Sequence, residues 1–91
     1  MDLVYEASIN YAQAVLGTDL KVPTLKGSNM VKVPPGTQGG TSLRLRGEGM
    51  ASSQGKGDML VNIKIKIPEK LTSIEQNLIE KLLKEFEKDE L

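Results

Sequence analysis

Apolar and polar residues alternate through most of the first two-thirds of the chain. Leu3, Tyr5, Ala7, Ile9 and Tyr11 alternate with Val4, Glu6, Ser8 and Asn10, the period of two expected of a half-buried strand. Ala12–Leu16 then offers one short helical turn, with Gly17 placed to stop it. A second strand is predicted over Asp19–Val22, ending at Pro23. Turn chemistry at Lys26-Gly27-Ser28-Asn29 predicts a hairpin into Met30–Val33. Pro34-Pro35-Gly36 stops that strand, and Gly39-Gly40 permits positive φ at a bulge or tight bend. Over Ser42–Arg46, Leu43 and Leu45 share one face and Arg44 and Arg46 the other. Gly47–Gly57, with its glycines and serines, reads as a loop. The clearest strand is Asp58–Ile67: Met59, Val61, Ile63, Ile65 and Ile67 face one way, Lys64 and Lys66 the other, and Leu60 interrupts the polar side.

After Pro68 the period changes to that of a helix. Leu71, Ile74, Leu78, Leu82 and Phe86 recur at helical spacing, and Ile79 and Leu83 widen the stripe. Thr72-Ser73-Ile74-Glu75 fits a capping box, so a helix is expected over about Ser73–Asp89. Lys81 falls where a heptad would need an apolar residue, which argues against a long coiled coil. The stripe could pack on the sheet or against a second copy, and the pattern alone leaves both open.

Charge follows the same division. Residues 1–68 carry eight basic and five acidic groups; residues 69–91 carry four and seven. The expected organisation is a β-rich body over 1–68 and a chemically distinct helical segment over 69–91. With 91 residues and 38% hydrophobic content, the chain supports one small core, of stability on the order of 5–10 kcal/mol.

Absent residue types exclude much chemistry. Without Cys or His there is no disulfide, no thiolate metal site, and no Ser-His-Asp or Cys-His arrangement. With Tyr5, Tyr11 and Phe86 the only aromatics, a base-stacking platform is not expected. Gly49–Lys56 departs from the phosphate-binding loop in spacing, and Gly57 stands where Ser or Thr should bind magnesium. Arg44, Arg46, Lys64 and Lys66 make a possible basic stripe, but the net charge is zero, unlike a nucleic-acid domain. Asp2, Glu6, Asp19, Glu48 and Asp58 are not clustered as a hydrolase would need. No apolar run approaches the roughly 20 residues of a membrane helix, and Asp2 and Glu6 are foreign to a signal peptide. Lys88-Asp89-Glu90-Leu91 spells an endoplasmic-reticulum retrieval signal. The cytoplasm is the expected compartment, with that lumen an option only if Leu91 is the true C-terminus. No catalytic residue, metal or cofactor is expected, and no enzyme.

Six blocks follow one another in a specific order: Asp2-Leu3-Val4-Tyr5-Glu6, Ala12-Gln13-Ala14-Val15-Leu16-Gly17, Val22-Pro23-Thr24-Leu25, Val33-Pro34-Pro35-Gly36-Thr37-Gln38, Leu43-Arg44-Leu45-Arg46-Gly47-Glu48-Gly49 and Gly55-Lys56-Gly57-Asp58-Met59-Leu60-Val61. The series resembles the second C-terminal β-domain of DnaJ-type J-protein co-chaperones, over nearly the whole chain. The resemblance implies a mostly β fold: a small β-sandwich with a short helix in the N-terminal third and a C-terminal α-helix. It implies a substrate-binding and dimerisation arm in protein folding. Unfolded or extended client polypeptides and a second copy would be the partners, and an ATP-driven heat-shock chaperone would act through other domains of a longer protein. The His-Pro-Asp signature, the zinc-binding cysteines and the first β-domain of that family are missing, so the chain reads as a piece. Applied here, Leu78, Ile79, Leu82, Leu83 and Phe86 fall in the segment that would meet a partner subunit. Leu3, Tyr5, Leu20 and Val22, on the early strands, are client-binding candidates, with core packing as their alternative role. A purely structural dimerisation module without its own client site is the competing reading.

Overall fold

A computed structural model describes residues 2–49, 51–52 and 55–89. In chain order the elements are β1 (Leu3–Asn10), α1 (Tyr11–Leu16), β2 (Thr18–Thr24), β3 (Gly27–Val33), β4 (Ser42–Leu45), β5 (Ala51–Ser52), β6 (Gly55–Lys56), β7 (Met59–Lys66) and α2 (Ser73–Asp89). Strand β7 is the centre of a three-stranded sheet in the order β1-β7-β4. It runs parallel to β1 and antiparallel to β4. Strands β2 and β3 form an antiparallel hairpin, and β5 and β6 a two-rung ladder.

One cluster joins the layers. Ala7 and Ile9 of β1 and Met59, Val61 and Ile63 of β7 meet Val22 of β2, Val31 and Val33 of β3, and Ala14 of α1. Leu3, Tyr5, Leu20, Leu43, Leu45 and Ile65 are partly buried against it. The alternation read in β1, β4 and β7 is therefore the alternation of inner and outer faces, and the expected mostly β fold, with one short and one terminal helix, is the fold observed.

Local chemistry sets the element ends. The Asn10 side chain accepts the Gln13 N–H at 2.8 Å, and Gln13 Oε1 accepts the Asn10 N–H at 3.0 Å. This reciprocal cap draws Tyr11, expected in the strand, into the helix. Helix α2 starts in the same way: Thr72 Oγ1 accepts the Glu75 N–H at 3.1 Å, and Glu75 Oε1 accepts the Thr72 N–H at 2.8 Å.

Four expectations need correction. Strand β2 does not end at Pro23 but passes through it, pairing Pro23 with Ser28; β2 has a partner on one side only, where a missing N–H need not break a ladder bond. The hairpin turn is Leu25-Lys26, with Gly27 already in β3 at φ +131°. The 47–57 loop contains the β5–β6 ladder. Ile67 lies past β7 and is exposed, not part of the inner face. Glu90 and Leu91 of the retrieval-like tetrapeptide, and Met50, Ser53 and Gln54 of the glycine loop, lie outside the described residues.

Candidate functional site

Helix α2 buries none of its described residues. Leu78 is 59% exposed and Leu83 56%, and Ile74, Ile79 and Phe86 are also open, with Leu82 half-buried. Of the two packings left open by the pattern, burial of the whole stripe on the sheet is not the one observed. An apolar stripe of this length in water is an uncompensated cost.

The first half of α2 forms one wall of a groove of about 640 Å³. Leu71, Leu78 and Ile79 line it from the helical side, and Ile9, Tyr11 and Ala12 from the β1–α1 junction. Lys66 and Glu75 add one charge of each sign. Leu82, Leu83 and Phe86 lie beyond this groove. The four early-strand candidates behave differently: Val22 has no exposed surface, whereas Leu3, Tyr5 and Leu20 are half-buried at the margin of the core. A client cannot reach Val22 in this conformation.

The basic residues do not make a continuous stripe. Arg44 Nη1 donates to Asp58 Oδ2 at 2.6 Å, and Lys64 Nζ meets Glu6 Oε2 at 2.7 Å. Asp58 also gathers three backbone segments. Its Oδ1 accepts the Gly47 N–H at 3.0 Å, its N–H donates to Asp2 Oδ1 at 2.7 Å, and its C=O accepts the Leu3 N–H at 2.9 Å. The start of β1, the end of β4 and the start of β7 are thus tied together. The Asp58 side chain reads in the sequence only as a turn or strand start, because Arg44 stands 14 residues away. Only the β4–β7 pairing brings the two together.

The Gly47 N–H and the Arg44 guanidinium hold the Asp58 carboxyl below the ordinary carboxylate range, and the same hydrogen bond raises the Arg44 pKa. A carboxyl with a depressed folded-state pKa stabilises the fold fully above its unfolded value of about 4, and that contribution fades as the pH falls through the folded value. Asp58→Asn should therefore lower stability at neutral pH. It should also flatten the loss of stability between about pH 5 and pH 2. Urea midpoints measured across that window check it; parallel pH profiles for the two proteins would remove Asp58 from the account.

The described residues thus combine a β framework, a helix with an exposed apolar stripe and an open, mostly apolar groove between them. A family model for the DnaJ C-terminal domain matches residues 1–68. The chaperone protein DnaJ of Thermotoga maritima is 45% identical over 85 residues, covering 91% of this chain and 23% of that protein. Its counterpart in Roseiflexus sp. is 39% identical over 90 residues, covering 97% and 24%. That of Fusobacterium nucleatum subsp. nucleatum is 44% identical over 82 residues, covering 88% and 21%. The chain belongs to the DnaJ C-terminal domain family, and it spans about a quarter of the length of the curated relatives it matches. It is thus a C-terminal domain of the DnaJ chaperone type. Among the described residues no helix is long and apolar enough to cross a membrane.

Proposed function

We propose that this domain serves protein folding in two ways, pairing two copies through its C-terminal helix and contributing a contact surface for unfolded clients. Residues 1–68 would be the β body and residues 69–91 the assembly segment. The observation that carries the pairing is the stripe of α2 from Ile74 to Phe86, in which Ile74, Leu78, Ile79, Leu83 and Phe86 are all exposed. A second copy that buries Leu78, Ile79, Leu82, Leu83 and Phe86 would remove that apolar surface from water at both helices at once. The bacterial DnaJ relatives favour a cytoplasmic setting, and an ATP-driven heat-shock chaperone would be engaged by other parts of a full-length protein. The role is that of a binding module and not of an enzyme.

Sedimentation equilibrium over a wide concentration range tests the pairing. A reversible dimer is expected, and Leu82→Glu should weaken it by about a hundredfold or more, because a charge would enter a dry interface. Asp19→Ser, on the β2–β3 hairpin, should leave it unchanged. A wild-type monomer at all concentrations, or a dimer indifferent to Leu82→Glu, would refute assembly through this stripe.

A further inference from the structure

Helix α2 is joined to the body by residues 67–72, which are irregular and exposed. Pro68 has no N–H to continue the β7 ladder, and it biases Ile67 toward extended backbone. Among the described residues, no hydrogen bond or ion pair links 67–89 to the body. The bonds of this segment run inside it: Thr72 with Glu75 and Gln76, Gln76 with Glu80, and Lys88 with Glu85. The helix is thus a self-capped rod on a short tether, and only side chains across the groove can set where it lies.

That groove is unfinished. Tyr11 is 38% exposed and Ile79 48%, and Leu71 and Leu78 are open as well, although all four line it. Apolar walls held apart in water are a standing cost that their contact would remove. The two sides also carry complementary charge. Lys66, at the end of β7, and Glu75, in the first turn of α2, both line the groove. Lys66 makes no ion pair among the described residues. Glu75 accepts the Thr72 N–H with Oε1, and its second oxygen is left for another donor. Glu75, Leu78 and Ile79 are three and four residues apart, so they share one helix face. Turning that face inward would bury Leu71, Leu78 and Ile79 on Tyr11 and Ala12 and bring Glu75 toward Lys66.

The same face is the one a second copy would cover. Leu78 and Ile79 cannot be buried twice. Leu82, Leu83 and Phe86, beyond the groove, stay available in either position, so an encounter between copies can begin there.

We infer that α2 is a two-position arm: it closes on its own β1–α1 junction in the single chain, and must swing out before Leu78 and Ile79 can pair with a second copy. Closure is then an autoinhibitory contact. The inference rests on the pairing reading above and gives that pairing its regulation. The apparent dimer affinity falls with the fraction of arms that stand open, and that fraction enters once for each copy.

Sedimentation equilibrium on variants of the 91-residue chain tests it. Lys66→Glu sets a like charge against Glu75 and should hold the arm out, tightening the dimer at least about threefold. Lys64→Glu, on the same strand but not in the groove, should not tighten it. Lys66→Cys combined with Glu75→Cys places the only two cysteines of the chain across the groove. Oxidised, this pair should lock the arm closed and weaken the dimer at least about a hundredfold, and dithiothreitol should restore it. The reduced form is its own reference for the cap bond lost at Glu75. A dimer that Lys66→Glu weakens or leaves unchanged, or that forms equally well with the disulfide closed, overturns the inference and leaves the pairing standing. Cysteines that do not join in dilute, oxidised chain also overturn it, since the arm then does not close. A chain that is monomeric in every form overturns the pairing reading, and the competition falls with it.

Discussion

Ile63→Ala is expected to lower the stability of this domain by about 2–4 kcal/mol, the range for emptying a fully buried aliphatic site. Ile63 has no exposed surface and belongs to the strand that forms the middle of the three-stranded sheet. Its side chain belongs to the one cluster built from both sheets and α1. Its backbone is fixed from β7's other side: its N–H donates to Thr41 C=O at 2.8 Å, and its C=O accepts the Gly40 N–H at 2.8 Å. With the strand so held, the framework cannot close on the cavity, and the loss should sit toward the upper end. A domain of this size has on the order of 5–10 kcal/mol in total, so the variant should unfold about 10–25 °C lower. Ile65→Ala, two residues along the same face but only half-buried, should cost clearly less. Equal effects at the two positions would mean that the two sheets do not share the core described here.

The same strand shows why so much of the fold was legible. In β7 the alternation of Met59, Val61, Ile63 and Ile65 with the outward Asn62, Lys64 and Lys66, interrupted only at Leu60, is dictated by one inner and one outer face, so the pattern carries the structure. Helix α2 was legible for a similar reason, since the Thr72–Glu75 cap and the stripe both depend on residues a few positions apart. What failed depended on partners far along the chain. Pro23 reads as a stop unless β2 is known to be paired on one side. Ile67 reads as core because nothing local says that the sheet has ended. The role of Asp58 as a tie between Asp2, Arg44 and Gly47 has no local signature. Nor could periodicity show that the groove beside α2 would be completed by Tyr11 and Ala12, or that Val22 would be sealed while Leu3 and Tyr5 stayed at the margin. The outward stripe of α2 was visible, but only the packed body shows that it is left uncovered.

Gly17 offers a second large effect, and it separates two kinds of strain. It sits at φ +85° and ψ 158°, a conformation reached almost exclusively by glycine, so a side chain there costs on the order of 1–3 kcal/mol whatever the space around it. Space is also lacking. A Cβ would stand 3.0 Å from the Val33 carbonyl oxygen and 3.1 Å from both Cδ and N of Pro35. These are backbone or ring atoms with little freedom to yield, because Gly36 and Thr37 donate their N–H groups to the Ala14 carbonyl. The expected loss for Gly17→Ala is therefore about 2–4 kcal/mol, the conformational cost plus an overpacking cost. Gly40 is the control: its φ is +89°, and a Cβ there meets nothing within 4 Å, so Gly40→Ala should show the conformational cost alone. Urea midpoints of the two variants measure the difference. Equal losses would mean that α1 is not pressed against the Val33–Pro35 segment. The consequence reaches the groove beside α2, because α1 carries Tyr11 and Ala12 into it and caps the end of β1 through Gln13. A chain loosened at Gly17 should lose definition at this groove before its β7-centred core gives way.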